Sequence, residues 1–382
     1  MPRFSAIEGM RAWLAWGVVL SHINQSLGLN EMFGGHWVWA GRAGEGVFVF
    51  IVISGFVITH LVLDKHEPYP RYLLRRAFRL FPAYWIGYAI ALAALPFAVA
   101  SLAHMSWAND PAYTWDDLIH NWAGTTTHNA AAYIAPHALL LQGVLPDSIL
   151  PFSATAVLGP AWSLTLEWQF YLVAPALVWV LASKRWRPLT VALVFAAVAL
   201  FHLDVFGHFM MPSFLPGAAY MFMIGIGCRL GFRQAQQVTL PPEVALGCLV
   251  VGALFPDMLW FAVWLALYVF LLNGERWRTE PSVIASAFRA AFESKPAQYL
   301  GARSYSVYIL HLPILQLLTW AMVSRGVFTQ MQLFGLLLPA TIIAVLIASD
   351  ILYRLVERPM IKLGARLAGA QAPRDEPASA AG

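Results

Sequence analysis

Gly46-Val47-Phe48-Val49-Phe50-Ile51-Val52-Ile53-Ser54-Gly55-Phe56-Val57-Ile58-Thr59-His60-Leu61-Val62-Leu63 is the stretch that decides the fold. No Asp, Glu, Lys or Arg interrupts it, and its length approaches the roughly 20 mostly apolar residues that a helix needs to cross about 30 Å of hydrocarbon. With its flanks it forms a candidate span over 44–63. Further segments of the same kind lie at approximately 10–28, 81–101, 162–182, 188–203, 212–231, 243–256, 258–273, 304–323 and 332–353. The seventh and eighth in chain order are short and separated by Pro256-Asp257, which reads as a tight hairpin.

Composition agrees with that reading. Of the 382 residues, 59% are hydrophobic and only 12% charged, with 16 Trp and 24 Phe. A soluble domain carries about 25% charged residues. Lipid is therefore the main solvent, and the expectation is an all-α, polytopic membrane bundle of about ten transmembrane helices. The first segment has Arg11 inside it and no small-residue cleavage site at signal-peptide distance, so it reads as a retained helix. Cys228 and Cys248 fall in apolar segments, which argues against a disulfide framework or a zinc site, and no metal is expected.

A pI near 9.1 would suit a nucleic-acid partner, but the placement of the cations points to a bilayer instead. With the loops alternated from a cytoplasmic N-terminus, all but three of the 24 Lys and Arg residues lie inside. Arg42 and Arg325 lie outside, and Arg11 lies within the membrane. Cationic loops resist translocation, so this asymmetry places both termini in the cytoplasm. The segment 102–160 has no Lys or Arg and is the longest outside element; it carries Trp107, Trp115, Trp122, His104, His120, His128 and His137, and its part 135–144 is a candidate re-entrant piece. The membrane body takes residues 1–364. Residues 365–382, rich in Ala, Pro and Gly, read as a disordered tail.

Ionisable groups inside a bilayer cost at least about 2.5–3.5 kcal/mol each, so each needs a reason. Arg11 and His22 share the first helix at a spacing that returns to the same face, separated along the axis by roughly 16 Å. A ligand lying along the helix suits that pair; a snorkelling Arg and a His bonded to a neighbouring helix would suit it as well. Arg71, Arg75 and Arg79 share one face before the third span, with Arg76 beside them, and that face could hold anionic lipid or a phosphorylated ligand. Glu167 lies more than a turn into the fourth span, where a carboxylate needs a partner, a proton or a substrate hydroxyl. Tyr305, Tyr308 and His311 crowd the start of the ninth span, ahead of Pro313, which is expected to kink or break it. Asp350 and Arg354 read as a simple ion pair.

Taken in order, these motifs resemble the acyltransferase-3 family of integral membrane O-acyltransferases. The resemblance covers roughly residues 5–100, 155–180 and 295–362. It rests on Glu8-Gly9-Met10-Arg11-Ala12 with the spacing to His22, on Ser54-Gly55-Phe56, and on Arg75-Arg76-Ala77-Phe78-Arg79-Leu80-Phe81-Pro82. Trp162-Ser163-Leu164 with Glu167, Phe170 and Tyr171 adds a further block. Ser304-Tyr305-Ser306-Val307-Tyr308 with His311-Leu312-Pro313, then Glu357-Arg358-Pro359, complete the set. The chain departs from the family at Phe48, where many members carry an Asp, although Glu45 lies nearby. Some members also have a C-terminal esterase-like domain; with the last helix so near residue 382, acceptor handling is expected from this chain's own loops or a partner.

The resemblance implies a bacterial cytoplasmic (inner) membrane enzyme that takes acetyl or another short acyl group from cytoplasmic acyl-CoA, with acetyl-CoA as co-substrate. It implies a glycan or other hydroxyl acceptor on the far side. On that footing Arg71, Arg75, Arg76, Arg79, Ser54, Tyr305, Tyr308 and His311 are expected to hold the donor, and Trp162, Ser163 and Tyr171 the acceptor. His22 is expected to act as general base or acyl relay, assisted by Arg11 and Glu167. A non-enzymatic transporter or flippase of a polysaccharide or lipid-linked substrate is the competing reading, although no inverted internal repeat favours it.

Overall fold

A computed structural model describes residues 4–29, 42–65, 67–105, 129–280, 282–326 and 329–369. Every segment expected to span is helical. The chain runs α1 (Ser5–Leu27), α2 (Gly46–Lys65), α3 (Tyr69–Leu102), α4 (Ala130–Ala138), α5 (Ala161–Ala182), α6 (Arg187–His202) and α7 (Leu215–Leu230). Then come α8 (Pro242–Leu254), α9 (Leu259–Asn273), α10 (Val283–Glu293), α11 (Lys295–Ala302), α12 (Ser304–Val323), α13 (Gln330–Leu352) and α14 (Arg358–Leu367). No strand occurs among the described residues. Six helical stretches among them are long and apolar enough to cross a membrane: Gly46–Lys65, Tyr69–Leu102, Ala161–Ala182, Pro256–Asn273, Ser304–Val323 and Gln330–Leu367. The helices Arg187–His202, Leu215–Leu230 and Pro242–Leu254 are apolar but shorter.

Close backbone crossings set the frame. A Cβ on Gly55 of α2 would collide with the carbonyl of Phe222 on α7, and one on Gly225 of α7 would collide with the carbonyl of Val52. The two glycines therefore let α2 and α7 touch backbone to backbone, which is how helices gain van der Waals contact where lipid is as apolar as the side chains. Phe56, Phe170 and Phe222 pack beside this crossing, with Phe170 and Phe222 stacked at 3.9 Å.

The N-terminal half of α1 is held by two helices that carry no span. Ser282 caps α10 by accepting from the Ala285 amide at 3.1 Å, and Ser294 caps α11 from the Ala297 amide at 3.4 Å. The backbone of Phe292 at the end of α10 meets Gly9, and the backbone of Glu8 meets Gly301 at the end of α11. Arg11 lies less than a turn beyond Gly9 on the same helix.

Several expectations need correction. The third span begins at Tyr69 rather than near 81, so Arg71 to Arg79 lie within one continuous helix with Pro82 and Pro96 inside it. Helix α12 runs through Pro313 without a break. The expected hairpin is present, with Gly252 of α8 closely opposed to Ala262 of α9. The 135–144 piece consists of the end of α4, a buried turn at Leu140 and one 3-10 turn, Gln142–Val144. Trp107, Trp115, Trp122, His120 and His128 lie outside the described residues. Helix α14 continues to Leu367, past the boundary placed at 365, while residues 370–382 lie outside the described set.

Candidate active site

Arg11, Ser54, Arg76, Arg79, Ser163, Glu167, Tyr171, Tyr305 and Tyr308 line one cavity of about 320 Å³, together with Phe4, Glu8, Phe50 and Ser304. Sequence blocks far apart in the chain thus meet around a single space. Helix α1 supplies Glu8 and Arg11 one turn apart. Helix α2 supplies Ser54, helix α3 Arg76 and Arg79, helix α5 Ser163, Glu167 and Tyr171, and helix α12 the two tyrosines.

The three guanidinium groups are the unusual feature. Arg11 lies 6.0 Å from the Phe50 ring centre and Arg76 5.8 Å from that of Tyr171, distances that allow a cation–π contact. Among the described residues Arg11, Arg76 and Arg79 make no hydrogen bond or ion pair, and Nε of Arg76 is buried without a partner. Unpaired cations away from bulk water are costly. An anion entering the cavity would relieve that cost, and planar forks match phosphate oxygens bidentately.

In the same cavity Glu167 Oε1 accepts from Ser54 Oγ at 3.0 Å and also from the hydroxyl of Tyr171, the ring that Arg76 approaches. Two hydroxyl donors keep this carboxylate in place. Tyr305 donates to the Leu80 carbonyl at 2.7 Å, tying α12 to α3. Tyr308 and Ser163 hydroxyls lie 2.8 Å apart, and Tyr308 donates to the Pro160 carbonyl at 2.9 Å, which joins α12 to the start of α5.

Other residues singled out from sequence lie elsewhere. Arg71 is exposed, and Arg75 pairs with Glu67 in the approach to α3. The cationic face therefore divides: Arg76 and Arg79, three apart, turn inward, while the residues expected to share the face of Arg79 do not line the cavity. Trp162 is buried edge-on to Phe48, with ring centres 6.4 Å apart, outside the cavity lining. His22 does not line the cavity either. Its ring stacks on His311 with centres 5.2 Å apart and planes at 30°. His311 in turn lies 5.9 Å from the Tyr308 ring. The His22 ring is thus linked to the cavity-lining Tyr308 through the His311 ring.

Two acidic residues had not been assigned to the site. Glu8, three before Arg11 on the same helix face, had a readable signal in that spacing. Glu357 stood in the quoted Glu357-Arg358-Pro359 motif, but its direction was not readable, because it depends on a π-helical turn, Tyr353–Glu357, inserted between α13 and α14. Such a turn adds a residue and rotates the helix beyond it, and it is common at functional positions. Here it buries Glu357, 4% exposed, where Ser306 donates to it at 2.6 Å and where Arg79 and Arg11 lie within electrostatic reach. Asp350 is more than a simple pair: it accepts from Arg303 at 2.6 Å and from Tyr299 at 2.8 Å, and pairs with Arg354 at 2.8 Å.

A model of the acyltransferase domain matches residues 4–354. The chain belongs to the acyltransferase-3 family. Among curated relatives, the peptidoglycan O-acetyltransferase OatA of Listeria monocytogenes is 24% identical, the match covering 94% of this chain and 56% of that protein. The O-acetyltransferase OatA of Staphylococcus aureus is 24% identical over 95% of this chain and 58% of its own length. Nodulation protein 10 of Rhizobium leguminosarum is 25% identical over 60% of each chain. The chain therefore spans a little over half the length of the two OatA proteins. No solved structure matches it. The cavity lining brings together three guanidinium groups, a carboxylate held by two hydroxyls, and the hydroxyls of Ser163, Tyr305 and Tyr308, while His22 and His311 lie outside it.

Proposed function

We propose that this protein is a membrane O-acyltransferase that moves an acetyl or other short acyl group from cytoplasmic acyl-CoA to a hydroxyl of a glycan or related acceptor on the extracytoplasmic side. It does so as a bundle of about ten membrane helices with both termini cytoplasmic, in a bacterial inner membrane. The observation that carries this reading is the set of three guanidinium groups, without a hydrogen bond or ion pair among the described residues, lining one cavity with hydroxyls and a carboxylate.

Arg11, Arg76 and Arg79 hold the phosphates of the donor, and the arm of the donor extends past Ser54 and Tyr305 toward Tyr308. Glu167, fixed by Ser54 and Tyr171, orients the attacking hydroxyl. A thioester reacts with a hydroxyl when the hydroxyl proton is removed as the oxygen attacks. Imidazole suits that task, and His22, as general base or acyl relay, supplies it from beyond Tyr308. The names of the two OatA relatives support acetyl as the group transferred, and the Listeria name supports peptidoglycan as one acceptor to try.

Purified protein in nanodiscs, given acetyl-CoA labelled in the acetyl group and a glycan acceptor, should release free thiol and label the glycan. Transport of the glycan without thiol release would instead support the flippase reading.

A further inference from the structure

His311 does not line the cavity but is in ring contact with both His22 and the cavity-lining Tyr308. It is fully buried on α12, one turn beyond Tyr308. Its ring faces both neighbours, 5.2 Å from His22 and 5.9 Å from Tyr308. Its Nδ1 lies 3.2 Å from the Val307 carbonyl of the preceding turn. A carbonyl only accepts, so Nδ1 carries the hydrogen and donates it, and Nε2 is left with its lone pair. That Nε2 is buried with no partner among the described residues. An unmet buried acceptor costs about 1–3 kcal/mol and asks for an explanation. His137, elsewhere in the chain, is alike in both respects: its Nδ1 lies on the carbonyl four residues back, and its Nε2 is buried with no partner among the described residues. But His137 stacks on Tyr88 of the α3 wall, whereas His311 stacks on the imidazole already singled out by the Arg11 spacing.

We propose that His311 is the proton acceptor of the transfer step, its Nε2 receiving the proton of the attacking hydroxyl. This rests on the acyltransferase reading above and settles a choice that reading leaves open, because it releases His22 to act on the acyl carbon or to brace the ring. The hydroxyl oxygen bonds to the acyl carbon, and the bond from that carbon to its carrier, the thioester sulfur or a His22 nitrogen, breaks with its electron pair. The hydroxyl proton passes to Nε2 of His311, which then gives it to the departing sulfur or nitrogen. Nothing is consumed beyond donor and acceptor.

The test compares wild type, His311→Gln and His311→Ala in nanodiscs for acetyl-CoA affinity, melting temperature and steady-state transfer. Gln keeps the volume and a hydrogen-bonding end but cannot take up a proton near neutrality. The expected result is that both variants melt near wild type and bind acetyl-CoA within about twofold. Transfer kcat should then fall about 10²- to 10⁴-fold with donor KM unchanged. Added imidazole should partly restore His311→Ala and leave His311→Gln unaffected. A His311→Gln protein with near-wild-type kcat would overturn the proposal, since an amide would then suffice. Loss of folding in both variants would also overturn it, by returning His311 to the core. A wild type that neither binds acetyl-CoA nor releases thiol from it would remove the acyltransferase reading itself, a distinct failure visible before any variant is made.

Discussion

Two groups of arginines sit near the same end of the bundle and live under opposite rules. Arg303 is buried, donates to Asp350 at 2.6 Å and to the Tyr299 carbonyl at 2.9 Å, and has its guanidinium 3.5 Å and 4.7 Å from the ring centres of Tyr299 and Tyr353. Every requirement of that cation is met by the protein. Arg11, Arg76 and Arg79 line a cavity and make no hydrogen bond or ion pair among the described residues, with only distant ring contacts at Arg11 and Arg76. The contrast separates cations that hold helices together from cations kept available for something else, and it does so without reference to sequence motifs.

The largest effects that would break this comparison are expected at the cavity. Arg79→Ala or Arg76→Ala should weaken acetyl-CoA binding by about 10- to 100-fold, the loss of one or two charge-assisted hydrogen bonds. The melting temperature should hardly move, because no internal ion pair is lost; calorimetric titration in nanodiscs reads the first quantity and a thermal melt the second. A variant that binds normally but melts early would place these residues in the same class as Arg303. Next in size, Glu167→Gln should lower transfer kcat by about tenfold or more while leaving donor affinity within about twofold, since an amide still meets Ser54 and Tyr171 but carries no charge.

Arg303→Ala sharpens the other side. It leaves Asp350 with only Tyr299 and Arg354, so the melt should fall by several degrees while activity per folded molecule stays close to wild type. Gly225→Val should also act on assembly rather than chemistry, by forcing α2 and α7 apart where their backbones touch. The smallest effect is expected for Arg71→Ala. That exposed side chain lies off the cavity, and donor affinity should change by less than about twofold despite its place in the same basic run.

How far the sequence was legible depends on what each feature is made from. Spans such as Gly46–Lys65 were visible because a lipid-crossing helix is a property of local composition. Helices α10 and α11 were not anticipated; α10 is amphipathic, short and stabilised by packing on α1, which composition does not register. The inward turn of Arg76 and Arg79 was half readable. Helical spacing groups positions 71, 75 and 79, but it cannot see that Glu67 takes Arg75. Glu357 stood in a quoted motif, but its burial near Arg79 and Arg11 was not readable, because a π-helical turn breaks the period on which face assignments rest. His22 was found by its spacing to Arg11, yet spacing along one helix says nothing about the α12 side chains that link it to the cavity lining.

The central claim is that the unpaired guanidinium groups exist to hold the phosphates of the donor. Its most direct measurement is the affinity of the wild-type protein for acetyl-CoA beside that for S-acetylpantetheine, which carries the same thioester and arm but no phosphate. The prediction is tighter binding of acetyl-CoA by about 100-fold or more, with the gap shrinking in Arg76→Ala and Arg79→Ala. Equal affinity for the two donors would contradict it.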